Sequence, residues 1–275
     1  MPTTQLDRPS PTRARGLRGW IEHHPLTTFF ILAYALAWGV WIPAGLAGAG
    51  MASLIPGAFG PLVAALIVTR STGGSPRAWA RQLTRWRVPL RFYLYALGLP
   101  ALLFGSINGL LVLLGYDIDP SLLPGRLPTY LISLVFVAVL GGGQEEPGWR
   151  GFALSRLQAR YSPLAATLLL GFLWGVWHVP LYGPLGWVLP LILAFFYTYL
   201  YNRTGSVLLC ILLHGSFTPA IEQLVLLPDE VVHASGQLGT VDLVIAVVLV
   251  AAVGLLLART GGRLGYDAQL ARKEA

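Results

Sequence analysis

Eight apolar runs dominate this sequence and leave few folds open to it. Taking about 20 residues as the length that crosses ~30 Å of hydrocarbon, they fall at roughly 26–48, 51–70, 91–115, 128–146, 163–181, 185–201, 205–227 and 240–258. In lipid every backbone polar group must be paired within the protein, so runs this long predict an all-α polytopic membrane protein with about eight transmembrane helices. Composition agrees, since 55% of the 275 residues are hydrophobic and only 11% are charged, far from the usage of soluble domains.

The first run is too long for a secretory signal, whose apolar region has about 7–15 residues, and a second span follows it at once. Basic residues then orient the chain, because cytoplasmic loops carry the Lys and Arg excess. With both termini cytoplasmic, Arg8, Arg13, Arg15 and Arg18, the run from Arg70 to Arg91, then Arg150, Arg156 and Arg160, Arg203, and Arg259 to Lys273 share one side. Arg126 falls outside, among the acidic Asp117, Asp119, Asp229 and Glu230. The net charge of +7 is therefore a topology signal with membrane lipids as partners and not a nucleic-acid footprint. A single cysteine, Cys210, excludes an internal disulfide. Arginine so far outnumbers lysine, with Lys273 the one lysine among 19 basic residues, that a GC-rich bacterial gene and a multi-pass location in the bacterial plasma membrane are expected.

The expected organisation is a disordered cytoplasmic tail over 1–22, a membrane-embedded domain over 23–259, and a second cytoplasmic tail over 260–275. Between the second and third spans, Trp79, Leu83 and Trp86 recur at helical spacing with Arg77, Arg81 and Arg85 on another face. This is the pattern of an interfacial amphipathic helix, acting as a strut on the cytoplasmic leaflet or as a guide for substrate.

Charge inside the spans is expensive and marks function. The fourth run holds Glu145, Glu146 and Arg150, the fifth His178, and the seventh His214 with Ser216, Thr218 and Glu222. Counted from the cytoplasmic ends at ~1.5 Å per residue, Glu145 and His178 lie at ~22 Å and His214 at ~15 Å, close enough in depth to share one pocket. Glu146 and Arg150 are at i and i+4 with the carboxylate first, the favourable order for a pair. Glu145 points about 100° away around the helix, so it is the carboxylate left to serve as a general base. Pro147 removes a helical N–H after three glycines, which predicts a kinked or unwound segment between Gly141 and Pro147 and a small wet cavity beside Glu145. Gly171 and Gly175 share a face with His178, so another helix can approach that histidine closely. Thr218 lies one turn after His214, where a hydroxyl can donate to an oxyanion, and Glu222, a turn further, reads as a helix-end residue.

These residues resemble the CPBP family of intramembrane proteases, which includes the type II CAAX prenyl endopeptidases and bacteriocin-processing or immunity proteins. The family pattern is EExxxR, then FxxxH, then HxxxN or HxxxD on successive membrane helices. Here the first reads Glu145-Glu146-Pro147-Gly148-Trp149-Arg150, the second Trp174-Gly175-Val176-Trp177-His178, and the third His214-Gly215-Ser216-Phe217-Thr218. Tryptophan thus replaces phenylalanine, a mild departure since both fill apolar space, and threonine replaces the amide or acid. The resemblance covers about 130–225. It implies an endopeptidase acting on a membrane-associated protein or peptide, in which Glu145 activates water, His178 and His214 assist, Glu146 and Arg150 order the site, and the position of Thr218, or Ser216 in its place, stabilises the oxyanion. Glu145, His178 and His214 are also a donor set that zinc would accept, whereas HExxH is missing, so a metalloprotease and metal-free chemistry both stay open. Two other classes compete: a non-catalytic scaffold or immunity protein, and a proton-coupled transporter using the glutamate pair as a relay.

Overall fold

The computed structural model describes residues 16–233 and 239–267. Its long elements are eight helices, α1 (Pro25–Leu46), α2 (Gly60–Ser71), α3 (Leu90–Leu113), α4 (Leu123–Val139), α5 (Pro163–Trp177), α6 (Val188–Thr204), α7 (Val207–Gln223) and α8 (Thr240–Thr260). Each falls in one of the eight apolar runs, and no strand occurs among the described residues. This is an all-α polytopic membrane protein. Helical turns from Met51 extend α2, and a broken segment extends α4 to Gln158, so that among the described residues five runs are long and apolar enough to cross a membrane: Pro25–Leu46, Met51–Ser71, Leu90–Leu113, Pro120–Gln158 and Thr240–Thr260.

The shorter helices are the inner ones. At ~1.5 Å per residue, the 15 residues of α5 and the 17 of α7 fall short of a full span, and both bury much of their length. Leu170, Trp174 and Trp177 of α5 and Leu209, Leu213, His214 and Phe217 of α7 are all buried. The long helices carry the apolar side chains that remain outside, among them Leu131, Ile132 and Val135 on α4 and Leu243, Val247 and Val250 on α8. Such faces are what a protein surrounded by lipid presents.

Close backbone contact joins α5 to α6, as the two glycines of α5 predict. A side chain on Gly175 would stand 2.3 Å from the Trp187 carbonyl oxygen, and one on Gly171 would stand 2.8 Å from Ala194. Helix α1 closes the other side of α5 through indole groups. Trp38 donates to the Trp177 carbonyl over 2.9 Å, and Trp177 donates to the Ala33 carbonyl over 3.1 Å. The Trp177 carbonyl lies at the end of α5, where it needs a donor that lipid cannot supply.

Two expectations about the periphery change. The interfacial stretch is two short pieces, an α-helical Pro76–Ala80 and a 3₁₀ turn Arg81–Thr84, rather than one amphipathic helix. Gln82 anchors it, donating to the Gly151 carbonyl over 2.8 Å and accepting from the Tyr201 hydroxyl over 2.8 Å, because an unwound segment leaves carbonyls that a nearby amide can take. The expected tail is already helical at Leu17–His23, while the tail readings for 1–15 and 268–275 lie outside the described residues. Past α8 the chain turns back, burying Leu264, whose carbonyl accepts from Asn202 over 3.0 Å. Arg126, the exception to the charge pattern, is a tie at the far end. It donates to the carbonyls of Val225 and Leu227 over 2.6 and 3.0 Å and pairs with Asp229 at 2.7 Å.

Candidate active site

Sequence-local chemistry first breaks the helix that carries the glutamates. After α4 the chain runs through a 3₁₀ turn Gly143–Glu145, one turn Glu146–Gly148, a π-helix Trp149–Leu154 and a last turn Ser155–Gln158. Missing donors and glycine freedom favour such irregularity, and π turns often mark functional sites. Gly142 needs to be glycine on two counts: its φ of 145° suits no other residue well, and a side chain there would stand 2.4 Å from Nε2 of His214.

The expected ion pair is present. Nη1 of Arg150 donates to both carboxylate oxygens of Glu146 at 2.9 Å, and both residues are fully buried. The guanidinium is sandwiched between aromatic faces, 4.1 Å from the Trp174 ring centre and 4.2 Å from that of Tyr197. A desolvated cation gains substantially from such faces.

The two histidines divide between the two glutamates. Nδ1 of His214 donates to Oε1 of Glu146 over 2.9 Å, so of the two histidines expected to assist, this one bonds to the glutamate paired with Arg150. Both histidines thus reach the unwound segment that carries the two glutamates. His178 lies at the end of α5, where its Nδ1 donates to the Trp174 carbonyl over 2.9 Å. That bond fixes the neutral tautomer with its lone pair on Nε2, and Nε2 is 3.8 Å from Oε2 of Glu145.

Glu145 has two further partners that the sequence reading missed. Trp174 donates its indole N–H to Oε2 over 2.8 Å, and Trp149 donates to the same oxygen over 3.3 Å. A signal was available: a buried indole N–H usually takes an acceptor, which a phenyl ring has no need of. Reading the tryptophan of the second motif as space-filling overlooked its donor.

Among the described residues, the remaining expected ones make no side-chain hydrogen bond to this network. Thr218 and Glu222 are exposed on α7, which agrees with a helix-end role for Glu222. Ser216 is buried, and its hydroxyl is committed to the carbonyls of Ala96 and Leu213 at 2.6 and 3.0 Å, so it does not replace Thr218. Glu145 and His178 are nearly enclosed, 4% and 6% exposed. Aromatic rings pack around them, with Trp149 5.6 Å from Trp177 and His178 4.9 Å from Trp177.

The donors do not fit a zinc site as they are arranged. His214 turns one nitrogen to Glu146 and the other against Gly142, while Oε2 of Glu145 already accepts two indole donors. Among the described residues no three His, Cys, Asp or Glu side chains group to hold a metal. Tetrahedral binding needs lone pairs that converge.

Comparison with known proteins points the same way as the motifs. Residues 127–218 of the 275 match the family described as type II CAAX prenyl endopeptidase, Rce1-like. A relative from Methanococcus maripaludis, CAAX prenyl protease 2, is 43% identical over 53 residues, or 19% of this chain. The match spans 20% of that relative's length. The resemblance carried by the three motifs is thereby borne out.

Proposed function

We propose, from the kinship of residues 127–218 with type II CAAX prenyl endopeptidases, that this protein is an intramembrane endopeptidase of the CPBP group working in a cell membrane. Its substrate is a membrane-associated protein or peptide, and Glu145 is the general base. The observation that carries this reading is the pairing of Glu145 with His178 across 3.8 Å. Nε2 of His178 and Oε1 of Glu145, the carboxylate oxygen that the two indoles leave unbonded, are both acceptors, so a water molecule seated against them can donate one hydrogen to each and present its oxygen lone pair outward. Proton transfer to a carboxylate in the transition state contributes ~10²–10⁴-fold. Water then attacks the scissile carbonyl as Glu145 takes a proton, and the leaving amine receives a proton as the C–N bond breaks.

Glu146, Arg150 and His214 form the support beside that pair. Their hydrogen bonds and the two aromatic faces hold the unwound segment, so that Glu145 needs little reorganisation during reaction. Thr218 has the sequence position of an oxyanion donor, where a hydroxyl reaches less far than a carboxamide. No metal enters this mechanism.

The test compares membrane and secreted peptides from cells carrying the native chain, Glu145→Ala or His178→Ala. The same uncleaved precursor is expected in both variants. If none accumulates while both variants fold, the network is a scaffold and the peptidase reading is lost.

A further inference from the structure

We infer that Trp174 is a positioning residue for the Glu145 base, a role that rests on the peptidase reading above. One side chain touches every member of the constellation except Glu146. Its indole N–H donates to Oε2 of Glu145 over 2.8 Å, and its ring face receives the Arg150 guanidinium at 4.1 Å. Ring-centre distances to His178 and His214 are 5.6 and 5.8 Å, both edge to face. Its carbonyl accepts from Nδ1 of His178 over 2.9 Å. Tyr197 packs against the same ring at 5.5 Å and fixes its plane.

The indole nitrogen does what the phenylalanine of the related motif cannot. The terminal torsion of a glutamate is broad and roughly two-fold, so a carboxylate held only by packing rotates between orientations. Two N–H donors converging on Oε2, from Trp174 and from Trp149 at 3.3 Å, suppress that rotation. Hydrogen bonds to an ionised acceptor are the stronger kind. Among the described residues Oε1 accepts no hydrogen bond, so the clamp leaves this oxygen and Nε2 of His178 to receive water. Where ~1 Å of misplacement can cost about 10²-fold in rate, fixing one oxygen to orient the other is a catalytic advantage.

Trp174→Phe isolates the N–H, since a phenyl ring retains a face for Arg150 and leaves the backbone carbonyl for His178. The full chain in detergent is assayed on a synthetic peptide spanning the cleavage site of the precursor that accumulates in Glu145→Ala cells. Trp174→Phe is expected to lower kcat about tenfold to a hundredfold while KM stays within about twofold and the melting temperature falls only by the small amount that one buried hydrogen bond accounts for. Trp149→Phe, which removes the longer bond, loses less. In ¹⁵N-tryptophan-labelled protein, the indole resonance that disappears in Trp174→Phe should move in Glu145→Ala. Native turnover in Trp174→Phe, with Glu145→Ala inactive, overturns the inference and leaves the peptidase reading intact. So does a parallel loss of stability and of both kinetic constants, which would mean packing alone. If Glu145→Ala accumulates no precursor, the peptidase reading itself has failed and the inference falls with it, whatever the indole resonance does.

Discussion

His214 donates from Nδ1 to Oε1 of Glu146 over 2.9 Å, across α7 and the unwound segment that follows α4. The glutamate thereby accepts from a histidine and an arginine together, with Nη1 of Arg150 on both of its oxygens at 2.9 Å. Glu146 is a structural anion. The adjacent Glu145, turned to Trp174, Trp149 and His178, is the carboxylate with capacity left for chemistry.

Removing the cation should therefore cost more than activity. Arg150→Ala leaves Glu146 buried with His214 as its remaining partner, and breaking a buried pair by deleting one member typically costs about 3–5 kcal/mol. Thermal melting in detergent is expected to fall by several degrees along with loss of cleavage. Arg150→Lys should not restore either, because an ammonium lacks the planar face that stacks between Trp174 and Tyr197. Native melting of Arg150→Ala would contradict the anchoring role.

Glu145→Gln should separate chemistry from stability. The amide oxygen still accepts from both indoles, and the substitution is nearly isosteric, so the melting temperature should stay close to native. The base is gone, and cleavage should drop by about 10²–10⁴-fold. Turnover within a few-fold of native would assign the proton transfer elsewhere.

Gly142→Ala tests the unwound segment. With φ at 145° a side chain is strained by about 1–3 kcal/mol, and its position 2.4 Å from Nε2 of His214 forces the imidazole to move. Both stability and cleavage should decrease. A control is Gly98→Ala on α3, where a side chain meets nothing within 4 Å, and it should behave as native.

Thr218→Asn should raise kcat. The related motif has an amide or acid there, and an oxyanion donor is worth about 10²–10³-fold when well placed. Thr218 is exposed on α7, so the longer carboxamide has room. An unchanged or lower kcat in Thr218→Asn, measured on the same peptide, would remove this position from the reaction.

The eight helices and the Glu146–Arg150 pair were legible because both are local. An apolar run of about 20 residues has one solution in lipid, and an i, i+4 pair needs only the helical repeat. The break after Gly141 was legible for the same reason, from Pro147 and three glycines. The short pieces at 76–84 were not, because Gln82 is drawn to a carbonyl of Gly151 and a hydroxyl of Tyr201 that lie far off in the chain.

By itself, then, the sequence determined the membrane fold, the site's chemical types and the carboxylate bound to arginine, all of which follow from spacings of four residues or from the cost of charge in lipid. Only the tertiary structure decided which histidine meets which glutamate, that Ser216 belongs to the Ala96 carbonyl, and that Trp174 is a donor to Glu145. Those contacts join different helices, and their partners depend on packing angles and on a π turn that no local period encodes.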